Sequence, residues 1–274
     1  MAYALVTGAA MGIGKAIANE LACRNYNLLL VDMAGEELFE AAKELEHRFD
    51  IEALPLHFDL SDPGSIEQIF ALTRPYHDQL SVVVNNAGYG LNGAFTELSL
   101  TEQLDIIDVN IKAVVKLSYA YIPVLKNFSR SFLLNVSSTT AYQSVPYLNV
   151  YAASKAFVLS FTRGLKNELK DSAVSVSSLS PGSTDTNFVN RARMSEATKQ
   201  VARRYNMTPQ AVATAAINGL FNGQAEIIPG FTNKLNASLP KFFPKWFVEK
   251  IAAGIYHKKE KWIDPIGQPE LATI

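Results

Sequence analysis

Short apolar runs rich in Val, Leu and Ile alternate along the chain with longer segments whose apolar positions recur every three or four residues. Side chains repeat every two residues on a strand and about every 3.6 on a helix, so the short runs read as buried strands and the longer segments as helices with one core face. Strands are predicted at 4–7, 27–32, 53–58, 82–85, 131–137, 175–180 and 226–228, and helices near 14–24, 36–49, 63–74, 101–126, 150–170 and 209–222. Ser61 and Thr208 supply helix-start signals. Regular alternation of the two kinds is the pattern of βαβ units, and it predicts an α/β protein: a single doubly wound domain with a seven-stranded parallel sheet. No Pro/Gly/Ser-rich linker divides the chain; the Ser-rich stretch 172–183 fits a strand, through Val174, Val176 and Leu179, with an exit turn at Pro181-Gly182. The alternation is interrupted at 185–205, which is polar, carries Arg191, Arg193, Arg203 and Arg204, and follows a strand's carboxyl end, where an active-site lid would sit. That lid is expected to be more mobile than the strands around it when no ligand is bound. The expected division is therefore 1–230 for the domain, lid included, and 231–274 for a C-terminal helical extension packing on the substrate cleft or a subunit interface.

Composition narrows the picture. With 274 residues, 48% of them hydrophobic and 19% charged, the chain fills one sizeable core and is too apolar to be intrinsically disordered. Lys plus Arg (25) against Asp plus Glu (26) leaves a net charge of -1, so no global basic field would hold a nucleic acid or an anionic membrane, and any partner must be found by local chemistry. Cys23 is the only cysteine, which excludes an intrachain disulfide and a Cys-based zinc site; its helical spacing reads as a small core residue, and no metal is expected. The first residues carry no basic n-region and no apolar h-region, and no window approaches the roughly 18 consecutive apolar residues of a membrane span. A soluble, cytoplasmic protein with no integral membrane segment is expected.

The chemistry begins where the first strand runs into Thr7-Gly8-Ala9-Ala10-Met11-Gly12-Ile13-Gly14 and a helix. Gly8 permits a tight turn, Gly12 lets backbone approach a pyrophosphate, and Gly14 allows close helix-to-strand packing, while the helix N-terminus attracts phosphates. The second strand ends in Asp32, where a dinucleotide-binding unit puts an acid for the adenosine ribose hydroxyls. A carboxylate there repels a 2′-phosphate, and Met33 and Met11 offer no charge to balance one, so NAD(H) is expected over NADP(H). Tyr151 and Lys155 are four apart on a predicted helix and share a face, and a close cation would lower the phenol's pKa and make it usable as a general acid or base. Ser138 closes the strand upstream, at the sheet's carboxyl edge where ligands of open α/β sheets bind.

As a set, Thr7 to Gly14, Asn85-Asn86-Ala87-Gly88, Asn110, Ser138, Tyr151 with Lys155, and Pro181-Gly182 with Thr186 strongly resemble the short-chain dehydrogenases/reductases over about residues 1 to 230. The resemblance implies a Rossmann domain moving a hydride between a nicotinamide cofactor and a secondary alcohol or ketone. It implies Tyr151 as catalytic acid/base, Lys155 as its activator and holder of the nicotinamide ribose, Ser138 as the group orienting the carbonyl or alcohol, and Asn110 as holder of a relay water. Cofactor contacts would come from Gly8, Met11, Gly12, Ile13 and Gly14 at the phosphates, and from Asp32, Asp59, Leu60, Asn86, Ala87 and Gly88 on the adenosine side. Thr186 would contact the nicotinamide carboxamide, and Pro181, Gly182 and Thr184 would also touch the cofactor. Residues 85–95 and 151–161 look most like a bacterial branch related to hydroxysteroid and long-chain ketoacyl reductases, many of which use NADP through a basic residue where Met33 stands; this sequence departs from them there. Assembly as a homodimer or homotetramer is expected. The reading from a different class is a non-catalytic dinucleotide-binding protein whose cofactor occupancy is sensed by a partner; the intact Ser138, Tyr151 and Lys155 argue against it.

One weaker feature remains open. Residues 239–256 carry Phe242, Phe243, Trp246, Phe247 and Ile251 among Lys241, Lys245 and Lys250. They read either as a membrane-surface helix or as a helix covering the cleft or a subunit interface; near-zero net charge and the frequency of aromatics at buried contacts favour the second. His47, His57, His77 and His257 fall in no metal-ligand spacing.

Overall fold

In the computed structural model, which describes residues 1–196, 198–200 and 206–256, strands form at the apolar runs. They are β1 (Tyr3–Thr7), β2 (Asn27–Asp32), β3 (Ala53–His57), β4 (Leu80–Asn85), β5 (Ser131–Val136), β6 (Val174–Leu179) and β7 (Glu226–Ile227). Every pairing is parallel, in the order β3-β2-β1-β4-β5-β6-β7. The order reverses between β1 and β4, and a cleft opens beyond the carboxyl ends of the strands at such a point.

Both faces of this sheet are covered, which is why its strands read as nearly continuous apolar runs. Ala4 and Val6 of β1 pack on α1 (Gly12–Ala22), α2 (Gly35–Phe49) and the late helix Pro209–Phe221, whereas Tyr3 and Leu5 pack on α3 (Ser65–Thr73) and α5 (Val114–Leu125) across the other face. Further helices among the described residues include α4 (Leu100–Ile107), α6 (Asn149–Glu168), α7 (Phe188–Arg191), α8 (Pro209–Phe221), α9 (Phe231–Ser238) and α10 (Lys245–Tyr256). No helix among the described residues is long and apolar enough to cross a membrane.

Three local expectations are corrected. The single helix expected over 101–126 is α4 and α5 joined by a π-turn at Asp108–Ala113, a widened turn that lets the Asn110 side chain reach across to two neighbouring segments. Cys23 is exposed rather than buried, because α1 ends at Ala22 and Cys23 lies past the last residue of its core-facing stripe. Ser61 does not cap α3, whose cap position is Gly64; its backbone N–H and hydroxyl both donate to the Asp59 carboxylate. Thr208 caps α8 as expected, accepting from the Ala211 N–H. Of the lid, 197 and 201–205, with Arg203 and Arg204, lie outside the described residues, as do His257 and 257–274 of the C-terminal extension.

Candidate active site

The cleft encloses about 780 Å³, and its floor is the junction of two loops. The Thr7 hydroxyl accepts from the backbone N–H groups of Asn86 (3.0 Å) and Ala87 (3.1 Å), and the Asn86 amide donates to the carbonyls of Thr7 (2.9 Å) and Gly8 (3.1 Å). Asn86 thus lines the cleft mainly as a brace. The glycines follow from this closeness: a Cβ on Gly14 would lie 1.8 Å from the Gly8 carbonyl oxygen, and Gly8 itself sits at φ +66 with the Asn86 amide 2.7 Å from its would-be Cβ. α1 then starts with no acidic residue in its first turn and no side-chain cap, so its N–H groups and positive dipole end at Gly12, Ile13 and Gly14 are available to an anion.

At the far end, backbone N–H groups of Ala10 (2.9 Å) and Ala34 (3.0 Å) hold the two oxygens of Asp32, fixing the carboxylate at the cleft wall. Neither Lys15 nor Arg24 turns toward it. Lys15 pairs with Glu44 at 2.6 Å, and Arg24 pairs with Glu20 and donates to Asn218. The sequence reading missed Arg191: its guanidinium covers the Tyr89 ring at 4.5 Å and reaches 3.4 Å from the Met33 sulfur. Arginines in the lid were visible in the sequence, but nothing in their spacing names a partner 158 positions away.

At the other end, α6 carries Tyr151 and Lys155 on one face. The Ser138 hydroxyl, just past β5, accepts from the Thr140 N–H at 3.1 Å and lies close enough to the Tyr151 hydroxyl to favour its ionised form. Lys155 Nζ donates to the Val136 carbonyl at 2.9 Å and lies 5.8 Å from the Tyr151 ring centroid. Burial dominates both ionisations. It pushes the Tyr151 hydroxyl well above its ordinary value, with Ser138 pulling the other way and Tyr256 adding a little, and it draws Lys155 down to about 8. The net shift of the phenol is thus upward rather than the lowering expected from Lys155, because burial dominates it and Lys155 Nζ is turned to a backbone carbonyl.

Asn110 is fully buried and does not line the cleft. Its amide donates to the Tyr89 carbonyl (3.0 Å) and Ser154 hydroxyl (2.9 Å), and its carbonyl accepts from the Tyr89 N–H (3.1 Å), so the side chain pins the 88–90 loop to α6. Gly88 is the point of closest approach, with Asn110 Oδ1 2.8 Å and Lys155 Nζ 3.0 Å from a would-be Cβ. The other residues expected at a cofactor all line the cleft: Met11, Asp59, Leu60, Ala87, Pro181, Gly182, Thr184 and Thr186. Thr186 closes over Gly12, where a Cβ would meet its methyl at 3.1 Å. Beyond Tyr151 the walls turn apolar, with Leu91, Leu148, Phe188, Val189, Met194 and Ile255, the Phe188 ring packing 5.1 Å from that of Tyr151.

The described part of the lid is strapped across this cleft. The Arg193 guanidinium grips both oxygens of Glu102 (3.0 and 2.6 Å), and the Asn92 N–H donates to the Ala192 carbonyl at 2.9 Å. Arg193 adopts φ 54, a left-handed conformation that ends α7 and turns the chain toward Glu102.

A parallel sheet with a glycine cradle, an acid at the end of β2 and a buried Ser-Tyr-Lys set defines a nicotinamide-dinucleotide oxidoreductase. The chain belongs to the short-chain dehydrogenase/reductase family: the short chain dehydrogenase profile matches residues 2–197. It is 32% identical over 217 residues to an uncharacterized oxidoreductase of Staphylococcus saprophyticus (79% of this chain, 90% of that one). It is also 32% identical over 251 residues to a very-long-chain 3-oxoacyl-CoA reductase of Anas platyrhynchos (89% and 74%). Its fold matches that of a 7beta-hydroxysteroid dehydrogenase with TM-score 0.83 at 24% identity (92% and 96% covered). It also matches a Sphingobium yanoikuyae short-chain dehydrogenase in complex with NADPH (0.78, 24%, 89% and 97%) and a Burkholderia phymatum relative in complex with NAD (0.79, 21%, 87% and 92%). The protein is an enzyme acting on CH-OH or ketone groups with a nicotinamide cofactor.

Proposed function

We propose that this enzyme moves a hydride between NAD(H) and an apolar secondary alcohol or ketone, with Tyr151 as the proton-transferring group. The observation that carries it is the Ser138–Tyr151 hydroxyl pair, buried beside Lys155 at the carboxyl edge of β5 and facing apolar walls. The residues present fit a dinucleotide: the Gly8–Gly14 cradle and the first turn of α1 suit a pyrophosphate, Asp32 suits ribose hydroxyls, and Asp59, Leu60, Asn86, Ala87 and Gly88 suit an adenosine. Pro181, Gly182, Thr184 and Thr186 would flank the nicotinamide, and Lys155 its ribose. The nicotinamide, when bound, supplies or takes the hydride.

Tyr151 Oη holds its proton over the neutral range, because burial raises its pKa, and can give that proton to a carbonyl oxygen as negative charge develops there. Ser138, beside the phenol, orients that oxygen. The reverse reaction needs the phenolate, so oxidation is expected to speed up as pH rises while reduction does not. Asn110 is a positioning residue, holding the loop at Gly88 against α6.

Residues 1–230 act as the cofactor-binding domain and the extension from 231 as a cover on the cleft, supported by Ile255 and Tyr256 in its wall. Homo-oligomerisation is supported by outward apolar groups, Tyr119 of α5 and Phe157 of α6.

NAD(H) is preferred because a 2′-phosphate would set a second anion beside Asp32. A second reading has a specific observation in its favour, since Arg191 reaches the Met33 side chain and could meet such a phosphate. Fluorescence titration of both oxidised cofactors decides between them. NAD should bind roughly a hundredfold tighter or more, and Asp32→Ala with Met33→Arg should shift the preference toward NADP. Tighter NADP binding in the parent, abolished by Arg191→Ala, would establish the second reading. Absorbance at the reduced-nicotinamide band across a panel of apolar ketones tests the reaction itself.

A further inference from the structure

Beyond residue 230 large apolar side chains are exposed in two places, Phe231 (82%) and Leu235 (52%) on α9 and a larger group on and just before α10. Phe242 is 80% exposed, Trp246 66% and Ile251 53%. On α10, Val248, Ala252 and Tyr256 recur every four residues on the inward face, Ala252 being buried, while Phe247, Ile251 and Ile255 form the next stripe and are exposed. The aromatic rings touch one another, Phe243 stacked on Phe247 at 6.0 Å and Trp246 edge-on to Phe247 at 5.8 Å, so they make one patch. Lys245 and Lys250 are exposed beside it. Between residues 231 and 256 the sequence has four lysines against one glutamate, in a chain whose net charge is -1. A two-fold contact through this patch would bring lysines toward their own copies, whereas an anionic surface complements them.

We propose that the outer face of α10 docks on an anionic lipid bilayer, aromatic rings at the headgroup level and lysines toward the phosphates. Aromatic and aliphatic groups beside lysine on a helix that does not span a membrane are the chemistry of interfacial binding. Position gives the docking a use. The last turn of the same helix closes the cleft: Ile255 and Tyr256 line it, the Asn92 amide donates to the Tyr256 carbonyl at 3.0 Å, and the Thr198 hydroxyl donates to the Ile255 carbonyl at 3.0 Å. A lipophilic ketone or alcohol could pass from the bilayer into the apolar end of the cleft without crossing water; this consequence rests on the function proposed above, while the docking itself does not.

Flotation of the full chain with vesicles tests it. Binding to phosphatidylcholine vesicles containing 30% phosphatidylglycerol is expected to exceed binding to pure phosphatidylcholine by tenfold or more and to weaken at high salt. Lys245→Gln and Lys250→Gln, both exposed, should each weaken it about fivefold. Phe243→Ser with Trp246→Ser should weaken it at least tenfold while cofactor affinity, read by titration without vesicles, stays unchanged. No flotation, or flotation indifferent to these variants, overturns the proposal. So does a concentration-dependent dimer that the serine variants dissociate while vesicles bind nothing, since a second copy then covers the face. Turnover of water-soluble ketones without vesicles reports separately on the catalytic reading.

Discussion

Lys155→Met is expected to stabilise the protein while disabling it. Lys155 is buried, and loss of water lowers its pKa from 10.5 to about 8. Between those values the unfolded chain binds a proton that the folded chain does not, so stability rises with pH across the window and the penalty is fully present below pH 8. At about 1.4 kcal/mol per unit, the buried ammonium costs about 3 kcal/mol at pH 7, falling to about 1 kcal/mol at pH 10. Methionine has similar bulk and no charge to bury, but it forfeits the bond to the Val136 carbonyl, worth about 1 kcal/mol. The net gain is then about 2 kcal/mol at pH 7 and close to nothing at pH 10. Thermal unfolding of the cofactor-free protein at the two pH values reads this directly, as a rise in Tm of several degrees at pH 7 that vanishes at pH 10. The same variant should lose most turnover and bind cofactor more weakly. A Lys155→Met protein less stable than its parent at pH 7 would refute the reasoning, because it would mean that the ammonium is solvated or paired in the fold.

Tyr151→Phe should keep cofactor binding within a few-fold and reduce kcat by about 10² to 10⁴, since the ring still packs on Phe188 but carries no proton; more than half of parental kcat on a confirmed substrate would remove Tyr151 from the chemistry. Glu102→Gln releases the Arg193 grip and should raise amide exchange across 188–194 about two- to fivefold in the cofactor-free protein, with the β5 amides unchanged. Equal protection of 188–194 in parent and variant would show that other contacts hold the strap. Gly14→Ala should fail to fold stably, judged by circular dichroism, because its Cβ would meet the Gly8 carbonyl oxygen at 1.8 Å.

Much of the frame was legible because its signals are local. A run such as Leu28 to Val31 is apolar on both faces and can only be an interior strand of a covered parallel sheet, and the structure puts it in β2 between β1 and β3. The Tyr151–Lys155 pair was legible for the same reason, as i and i+4 on a helix. Illegible features depend on distant partners. No local pattern marks the π-turn at Asp108–Ala113, whose widening accompanies the bonds from Asn110 to Tyr89 and Ser154. Arg191 could be seen to be cationic but not to reach Met33, and Lys15 could be seen near the cradle but not to be paired with Glu44. For Tyr151 the residue was found and the sign of its pKa shift was not, because that sign depends on how completely the fold removes water.

The buried polar groups beneath the cleft explain why so costly an arrangement holds its geometry. α6 is tied to the sheet and its loops at successive heights: Asn110 to the Ser154 hydroxyl, the Ser137 hydroxyl to the Lys155 carbonyl at 2.7 Å, and the Asn135 amide to the Thr162 hydroxyl at 3.0 Å. Asn135 in turn accepts from the Asn85 amide at 2.8 Å, which carries the chain of bonds from α6 through β5 to β4. Apolar packing alone would tolerate small rotations of a helix against a sheet, because dispersion contacts have no direction. Directional bonds at several levels leave little room for rotation, so Tyr151 and Lys155 stay turned into the cleft although burial disfavours the charge of each. In the function proposed above, Asn85, Asn110, Asn135 and Ser137 would therefore be what keeps Tyr151 in place for its chemistry.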